Sequence, residues 1–155
     1  MVLSNFIAEI TSTFMVVPMF KGHKDLAEYI VSSYKGKVIE VGIGKHPEVA
    51  LLLKDHLEVI ATDTSDLSVE GIRFIRDDIF DPNIHIYEGS SLIYSIRPPV
   101  EMQHAIASVA KRVGADVIIR PFASEKTDLD KYFDESKLIN YGSAVFYLYR
   151  IKINK

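Results

Sequence analysis

The sequence predicts one α/β domain, in which a mainly parallel β-sheet has helices on both faces and an antiparallel hairpin at one edge. Two observations predict this class. Short β-branched runs alternate with segments of helical period between residues 37 and 121, and the chain then ends in two strand-like runs around Gly142-Ser143. Such a tight turn is a hairpin signal. The length of 155 residues suits one continuous core, so residues 1–155 are interpreted as a single domain.

Helices are predicted where apolar residues recur at three- and four-residue spacing. The segments with that spacing are residues 5–14, 25–34, 46–55 and 99–113. Their ends agree with helix chemistry, because Pro47 suits a first turn, where its missing N–H costs nothing, and Gly114 suits a helix end. We interpret residues 1–35, which hold the first two segments, as an N-terminal helical cap.

Strands are predicted at residues 37–41, 57–62, 72–76, 92–96 and 116–119, and the hairpin strands at 137–141 and 144–152. Pro98 and Pro121 stop two of the strands, since proline cannot donate to a β-ladder. These strands form a sheet core that we assign to residues 37–155. Ligands of open parallel sheets bind at the carboxyl ends of the strands, so the polar residues there are the candidate site.

The composition excludes several classes of function. The chain has no cysteine, which excludes disulfides, thiolate zinc sites and a cysteine nucleophile, and indicates a cytoplasmic protein. Its five histidines show no pair at metal-ligand spacing, so no metal is predicted. No apolar run approaches the ~20 residues that span a bilayer, so no membrane partner is expected. The formal net charge of −3 does not indicate a nucleic-acid partner.

Two glycines and an acid indicate a nucleotide site. Gly42 and Gly44 follow the first predicted strand and precede a helix, and Asp63 follows the second strand. Glycine there permits close backbone approach to a ligand, and an acid at the second strand end is placed to accept hydrogen bonds from ribose hydroxyls. An ordinary strand-to-helix turn stays open as the alternative. The dinucleotide fingerprint needs a third glycine where Pro47 stands, which argues against NAD and FAD.

The run from Val38 to Gly44 resembles motif I of the class I S-adenosylmethionine-dependent methyltransferases. The resemblance implies a Rossmann-like three-layer α/β/α fold and S-adenosylmethionine as cofactor. It implies that Glu40, Gly42 and Gly44 hold the methionine portion. It assigns Asp63 to the ribose and Asp77 and Asp78 to the adenine region. The run from Leu92 to Pro99 is similar to a segment of a small uncharacterised archaeal family of truncated methyltransferase-like proteins.

The chain departs from the family's motifs at two places. His46 stands where motif I usually has a third glycine, and Arg97-Pro98-Pro99-Val100 lacks the acceptor carbonyl and aromatic ring of the amino-group methyltransferases. His46 fits a general base or a polar residue at a helix start. Catalytic residues therefore stay unassigned. The stretch between Asp78 and Leu92 is also short for a full helix.

Arg97 and Arg120 each precede a proline at the ends of neighbouring strands. Two guanidinium groups close together suit a carboxylate or phosphate, so they are candidates for binding an anionic substrate. The alternative is local ion pairing, with partners among Asp77, Asp78, Glu88 and Glu125. Asp78 and Asp81 equally fit turn or helix caps.

Three functions stay open on the sequence. The first is a small methyltransferase whose acceptor is unknown and whose cofactor lies over the two glycines. The second is a non-catalytic binding or interaction module that keeps the fold, and the third is another nucleotide-using enzyme of NAD type. An apolar set near the N-terminus also leaves a homodimer open. Its members are Phe6, Phe14, Met15, Met19 and Phe20.

Overall fold

The computed structural model describes residues 22–67, 69–122 and 125–151. The described elements, in chain order, are α1 (His23–Ser33), β1 (Lys37–Val41), α2 (Glu48–Leu53), β2 (Glu58–Asp63), β3 (Arg73–Arg76), a 3₁₀ turn (Ile84–Ile86), β4 (Ser90–Ile96), α3 (Val100–Val113), β5 (Asp116–Arg120), β6 (Glu135–Tyr141) and β7 (Ala144–Arg150). The predicted helix at residues 5–14 and the apolar set near the N-terminus lie outside the described residues.

The strands form one seven-stranded sheet in the order β3-β2-β1-β4-β5-β7-β6. The first five strands are parallel to one another, whereas β7 is antiparallel to β5 and to β6. The predicted mainly parallel sheet with an antiparallel hairpin at one edge is therefore confirmed. Chain order reverses between β1 and β4, which makes their carboxyl ends the switch point where connections diverge.

Helices cover both faces of the sheet, as predicted for a three-layer α/β/α fold. On one face α1 and α2 pack over the sheet through apolar residues, among them Leu26, Ile30 and Leu53, all fully buried. On the other face α3 packs through Ile106 and Val109. The helical part of the connection from β3 to β4 is only the short 3₁₀ turn, as the length of this stretch predicts.

Helix α1 is tied to the rest of the sheet by polar contacts at both of its ends. The Asp25 carboxylate accepts a hydrogen bond from the Ser143 amide at 2.7 Å, in the turn between β6 and β7. Just beyond the other end, the Tyr34 hydroxyl donates to Asp116 at the start of β5, at 2.7 Å. These contacts fix the helix across the sheet.

Element boundaries differ from prediction by one to two residues in most cases. The helix predicted at 46–55 is shorter, because the segment before Glu48 is a turn held by the amide of His46 donating to the Ile43 carbonyl at 3.2 Å. Strand β6 begins at Glu135 rather than at residue 137. In the described ranges, no helix combines the length and apolar character needed to cross a membrane.

Candidate functional site

At the switch point, a side chain at the end of β4 joins that strand to the last residue of β1. The buried Ser95 hydroxyl of β4 donates to the Val41 carbonyl of β1 at 2.7 Å. The two strands then separate, because β1 continues into the glycine loop and β4 into Arg97-Pro98. A crevice at such a position is where open α/β sheets bind ligands.

The glycine loop, residues 42–46, follows β1 and stays paired with β2. Gly42 and Gly44 have φ angles of +74° and +55°, a left-handed conformation that side chains with a Cβ adopt only under strain. The amides of Gly42 and Ile43 both donate to the Thr62 carbonyl, at 2.9 and 3.2 Å. The Gly44 amide donates to Asp63 Oδ2 at 2.9 Å. The loop amides thus bind within the protein rather than pointing outward.

Two adjoining spaces open beside this loop, and together we call them the acidic cleft. The inner space, about 40 Å³, is lined by Val41, Gly42, Thr62, Asp63, Thr64, Asp77, Ile79 and Met102. The outer space, about 420 Å³, is lined by Thr64, Arg76, Asp77 and Asp78. The spaces adjoin because they share Thr64 and Asp77. Among the predicted cofactor residues, Gly42, Asp63, Asp77 and Asp78 come together here.

The carboxylates of the acidic cleft are held in place by the protein's own donors. Asp63 Oδ1 accepts from the Ser65 amide at 3.0 Å, in addition to the bond from Gly44 to its other oxygen. Asp77 accepts from the Tyr87 hydroxyl at 2.7 Å and from the Asn83 amide at 3.0 Å. Burial raises the pKa of Tyr87, with Asp77 adding to the shift. Each carboxylate oxygen of Asp63 and Asp77 that accepts one of these bonds keeps a second lone pair, which can accept from a ligand.

Asp78 also has the predicted turn-cap role. Its Oδ1 accepts from the Phe80 amide at 2.9 Å, and the Asp81 amide donates to the Asp78 carbonyl. Asp78 can cap the turn and line the cleft at the same time, since it is also one of the residues around the outer space. Arg76 on β3 faces the same space and donates through Nε to the Thr64 carbonyl at 2.9 Å.

Glu40 lies on the other face of the sheet from the acidic cleft. It is 1% exposed and accepts a hydrogen bond from the Tyr94 hydroxyl at 2.7 Å. Burial raises the pKa of Glu40 to about 8, and the bond from Tyr94 offsets part of that shift. Side chains alternate along a strand, so Val41 faces the cleft and Glu40 faces away from it, toward α1 and α2. Glu40, which the resemblance assigned to the methionine portion of the cofactor, is therefore not among the residues that line the acidic cleft.

Arg97 and Arg120 lie together at the carboxyl ends of β4 and β5, as the sequence predicts. The Arg97 amide donates to the Arg120 carbonyl at 2.6 Å, and the Arg97 guanidinium lies 5.5 Å from the centre of the Phe122 ring. Burial and the charge of Arg97 lower the pKa of Arg120. We call Arg97, Arg120 and Phe122 the arginine edge.

The predicted alternative for the arginines, local ion pairing, does not hold for Arg97. Its guanidinium forms no ion pair among the residues that the structure describes. Two of the proposed partners are engaged elsewhere, Glu88 with His85 and Asp77 with Tyr87 and Asn83. Arg97 is thus directed to the exposed Phe122 ring instead.

His46 is exposed in the glycine loop, and its Nδ1 lies 3.6 Å from Glu48 at the start of α2. This contact agrees with the helix-start interpretation, and His46 is not among the residues that line the acidic cleft. Within the described ranges, no three His, Asp and Glu side chains group as metal ligands would.

Three residues of the site carry no motif signal. Met102 lies against Gly42, close enough that a Cβ on Gly42 would sit 3.6 Å from its sulfur. Tyr87 holds Asp77, and the fully buried Gln103 joins the loops after β4 and β5. Met102 and Gln103 lie in the first turn of α3, shortly after Pro99. Their position directly after the fourth strand, where ligands of open sheets bind, is the sequence signal that could have identified them.

A model of a protein family described as "Uncharacterised protein family (UPF0146)" matches residues 23–151 of this chain. A UPF0146 protein of Archaeoglobus fulgidus is 46% identical over 127 residues, covering 81% of this chain and 92% of the relative. A UPF0146 protein of Methanocaldococcus jannaschii is 39% identical over 117 residues, covering 72% and 82%. The predicted similarity to a small uncharacterised archaeal family is confirmed.

Among solved structures, the fold is similar to that of a methyltransferase and of a domain with bound SAH. A methyltransferase from Geobacter sulfurreducens superposes with a TM-score of 0.62 at 12% identity, covering 94% of this chain and 89% of the other. The N-terminal domain of EvdMO1 with SAH bound has a TM-score of 0.62 at 9% identity, covering 89% and 84%. At these identities the similarity concerns the fold.

Proposed function

We propose that this chain, which belongs to the uncharacterised protein family UPF0146, binds S-adenosylmethionine in the acidic cleft and acts as a small methyltransferase. The observation that carries the proposal is Asp63, which joins the glycine loop at 2.9 Å to the cleft at the end of β2. Gly42, Asp63 and Asp77 would hold the cofactor. The fold similarity to a methyltransferase and to the N-terminal domain of EvdMO1, which has SAH bound, supports the same ligand class.

The charge of the cleft fits this cofactor better than a phosphate-bearing nucleotide. Asp63, Asp77 and Asp78 surround the space, with Arg76 as the cation that lines it. S-adenosylmethionine carries a sulfonium cation and no phosphate, so these carboxylates attract it and accept from its ribose hydroxyls. Like charges at a few ångströms would repel a pyrophosphate.

The glycine loop supports the same choice. A dinucleotide pyrophosphate is bound through free N–H groups at the start of a helix. Here the amides of Gly42, Ile43 and Gly44 donate to β2, and that of His46 donates to Ile43. The NAD-type function is therefore disfavoured on geometry as well as by Pro47.

When bound, the cofactor supplies a methyl group on a positively charged sulfur. Transfer would form a bond from an acceptor lone pair to that methyl carbon and would leave the electron pair of the broken carbon–sulfur bond on sulfur. The contribution of this chain is to hold the two reactants in line, because such a displacement is accelerated mainly by position. Asp63 and Asp77 would hold the cofactor, and the acceptor would approach from the β4 side.

A non-catalytic binding module is the second candidate, and one observation favours it. Arg97 stands where an amino-group methyltransferase would present an acceptor carbonyl, and it lies over Phe122 rather than over the cleft. Such a protein would bind the cofactor and transfer nothing. Binding and transfer are separated by assaying both on the same preparation.

The test is calorimetric titration of the full chain with S-adenosylmethionine, S-adenosylhomocysteine and NAD. We expect the first two to bind and NAD not to bind. Asp63→Asn should weaken S-adenosylhomocysteine by about tenfold or more, because it removes a charge next to the ribose. Asp66→Asn is the matched control, since Asp66 is an exposed acid of the same loop that does not line the cleft.

Equal affinity of the wild type and Asp63→Asn would overturn the assignment of the cleft. Binding without methyl transfer to any fraction of a cell extract would select the non-catalytic module. Thermal unfolding of each variant checks that the fold is retained.

A further inference from the structure

We propose that the arginine edge is a subsite for an anionic group carried on a flat apolar ring, such as an aryl carboxylate or aryl phosphate. If the proposed function holds, this is the class of acceptor. The subsite itself rests on the geometry of Arg97, Arg120 and Phe122, and it can be tested without the cofactor. No part of it lies in the acidic cleft.

The backbone at Arg97 is the first observation. Arg97 has a φ of +58°, and among the described residues it is the one non-glycine with a positive φ. A bulky residue held in this conformation is strained, and strain of this kind concentrates at ligand sites. The Arg97 amide still pairs with the Arg120 carbonyl of β5, at 2.6 Å. The left-handed conformation of Arg97 then turns the chain away from β4. The guanidinium is exposed and lies over the Phe122 ring at this edge of the sheet.

The two loops that carry the arginine edge are joined by a buried side chain. Gln103 is 0% exposed, and its Nε2 donates to the Pro98 carbonyl at 3.1 Å and to the Glu125 carbonyl at 2.6 Å. One carbonyl follows Arg97 and the other follows Phe122 along the chain. Gln103 therefore holds the loop after β4 and the loop after β5 in one fixed arrangement. A binding site needs such preorganisation to keep its affinity.

The charge at the arginine edge is the third observation. The two arginines are adjacent, since the Arg97 amide donates to the Arg120 carbonyl at 2.6 Å, and burial together with the charge of Arg97 lowers the pKa of Arg120. Arg97 forms no ion pair within the described part of the chain. An anion placed between the groups would remove their repulsion, and guanidinium groups bind carboxylates and phosphates through two parallel hydrogen bonds.

Phe122 indicates what the anion is attached to. Phe122 is 53% exposed, although large apolar residues are usually buried. The Arg97 guanidinium lies 5.5 Å from the ring centre, so a flat ligand ring could stack beside Phe122 while its anionic group meets the guanidinium. A free inorganic anion would leave the Phe122 ring uncovered.

The arginine edge also lies next to the acidic cleft. Strand β4 is the neighbour of β1 in the sheet, and Met102, five residues after Arg97, packs against Gly42. A ligand held by Arg97 would therefore lie at the side of the cleft from which the proposed acceptor approaches.

The test is an NMR titration of the full chain, with phenyl phosphate, benzoate, inorganic phosphate and uncharged benzamide as probes. We expect phenyl phosphate or benzoate to bind at least about tenfold more tightly than inorganic phosphate and benzamide. Arg97→Gln should weaken that binding about tenfold or more. Arg112→Gln, which removes an exposed arginine at the far end of α3, should leave it within about twofold.

Two further variants separate a lost ligand contact from a lost fold. Arg97→Gly suits the left-handed backbone, so its thermal unfolding should match the wild type while aryl anion binding is lost. Phe122→Leu should lower the affinity for the aryl anions to that for inorganic phosphate. Equal binding by Arg97→Gln and wild type, or equal affinity for inorganic and aryl anions, would overturn the subsite.

The same variants keep this inference distinct from the proposed function. S-adenosylhomocysteine should bind Arg97→Gln as it binds the wild type. If the wild type binds phenyl phosphate through Arg97 but does not bind S-adenosylhomocysteine, the cofactor proposal fails and the subsite stands. If it binds S-adenosylhomocysteine and Arg97 does not matter for the aryl anions, the subsite alone fails.

Discussion

The two halves of the sheet's carboxyl edge differ in charge and in how their polar groups are satisfied. Over β1, β2 and β3 the edge is acidic, and its carboxylates accept from the protein's own amides and from Tyr87. Over β4 and β5 the edge is basic, and its exposed guanidinium, Arg97, contacts an aromatic ring. The boundary is the bond from Ser95 to Val41.

These opposite charges would allow one edge of the sheet to bind two ligands of different charge. A site for a cationic, hydroxyl-rich ligand needs fixed acceptors, and the acidic cleft has them. A site for an anion needs donors that are not already bound to carboxylates, and Arg97 provides one. Since exposed charges separated by more than about 10 Å are screened by salt, the halves act together only if their ligands meet near the boundary.

The largest expected effect comes from Glu40, which pairs with Tyr94 across that boundary. The pKa of Glu40 is raised from 4.5 to about 8, so the folded chain binds more protons than the unfolded chain between these values. Its stability therefore falls as pH rises through that window. Glu40→Gln should raise the free energy of unfolding on the order of 3 kcal/mol at pH 9 and change it little at pH 5.

Urea unfolding at the two pH values measures this difference. The control is Glu70→Gln, which neutralises an exposed carboxylate and should change stability little at either pH. A gain in stability by Glu40→Gln that is equal at pH 5 and pH 9 would contradict the buried-carboxyl interpretation.

The next effect concerns the basic half alone. Gln103→Leu keeps the volume but leaves the Pro98 and Glu125 carbonyls without their donor, which should cost about 2 kcal/mol of stability. It should also weaken aryl anion binding although Gln103 is buried, while S-adenosylhomocysteine binds as before. Ser108→Ala, on the exposed face of the same helix, should change neither quantity. If folded Gln103→Leu protein binds aryl anions as tightly as the wild type, then anion binding does not depend on the hydrogen bonds of Gln103 to the two loops.

The smallest effect concerns the acidic half. Gly42→Ala adds a methyl group that faces the inner space of about 40 Å³ and forces a side chain to a φ of +74°. It should weaken S-adenosylhomocysteine about tenfold, or 1.4 kcal/mol, and leave aryl anion binding unchanged. Gly89→Ala has nearly the same strain, at a φ of +79° in open surroundings, and is the control. Equal losses of cofactor affinity in both variants would indicate strain rather than occupancy of the cleft.

Much of the fold was predictable because hydrophobic period and turn residues are local signals. The alternation of strands and helices predicted the sheet, and Gly142-Ser143 predicted the hairpin, which β6 and β7 confirm. The short stretch before β4 predicted that no full helix would fit there, and the structure has a 3₁₀ turn. Asp63 and Asp77 were predicted at the edge because parallel strands end on the same side.

Other features were beyond the sequence. Glu40 was expected to hold the cofactor, but alternation along β1 places it on the face opposite the cleft, and only the packing of α1 and α2 decides which face that is. The sequence left the ion pairing of Arg97 open, because a φ of +58° and a contact with Phe122 depend on backbone and loop geometry. Gln103 gave no signal, since its partners are carbonyls that any residue supplies.

The chain's own pattern thus determined the α/β class, the strand ends and the polar residues that occur there, because period and chain direction are properties of the sequence. The tertiary structure alone decided which of those residues share a space. It turned the glycine-loop amides inward to β2, grouped Asp63 with Asp77, and separated both from Arg97 by the Ser95 link. Each of these contacts depends on the distances between strands that are far apart in the chain, and local residue preferences do not specify those distances.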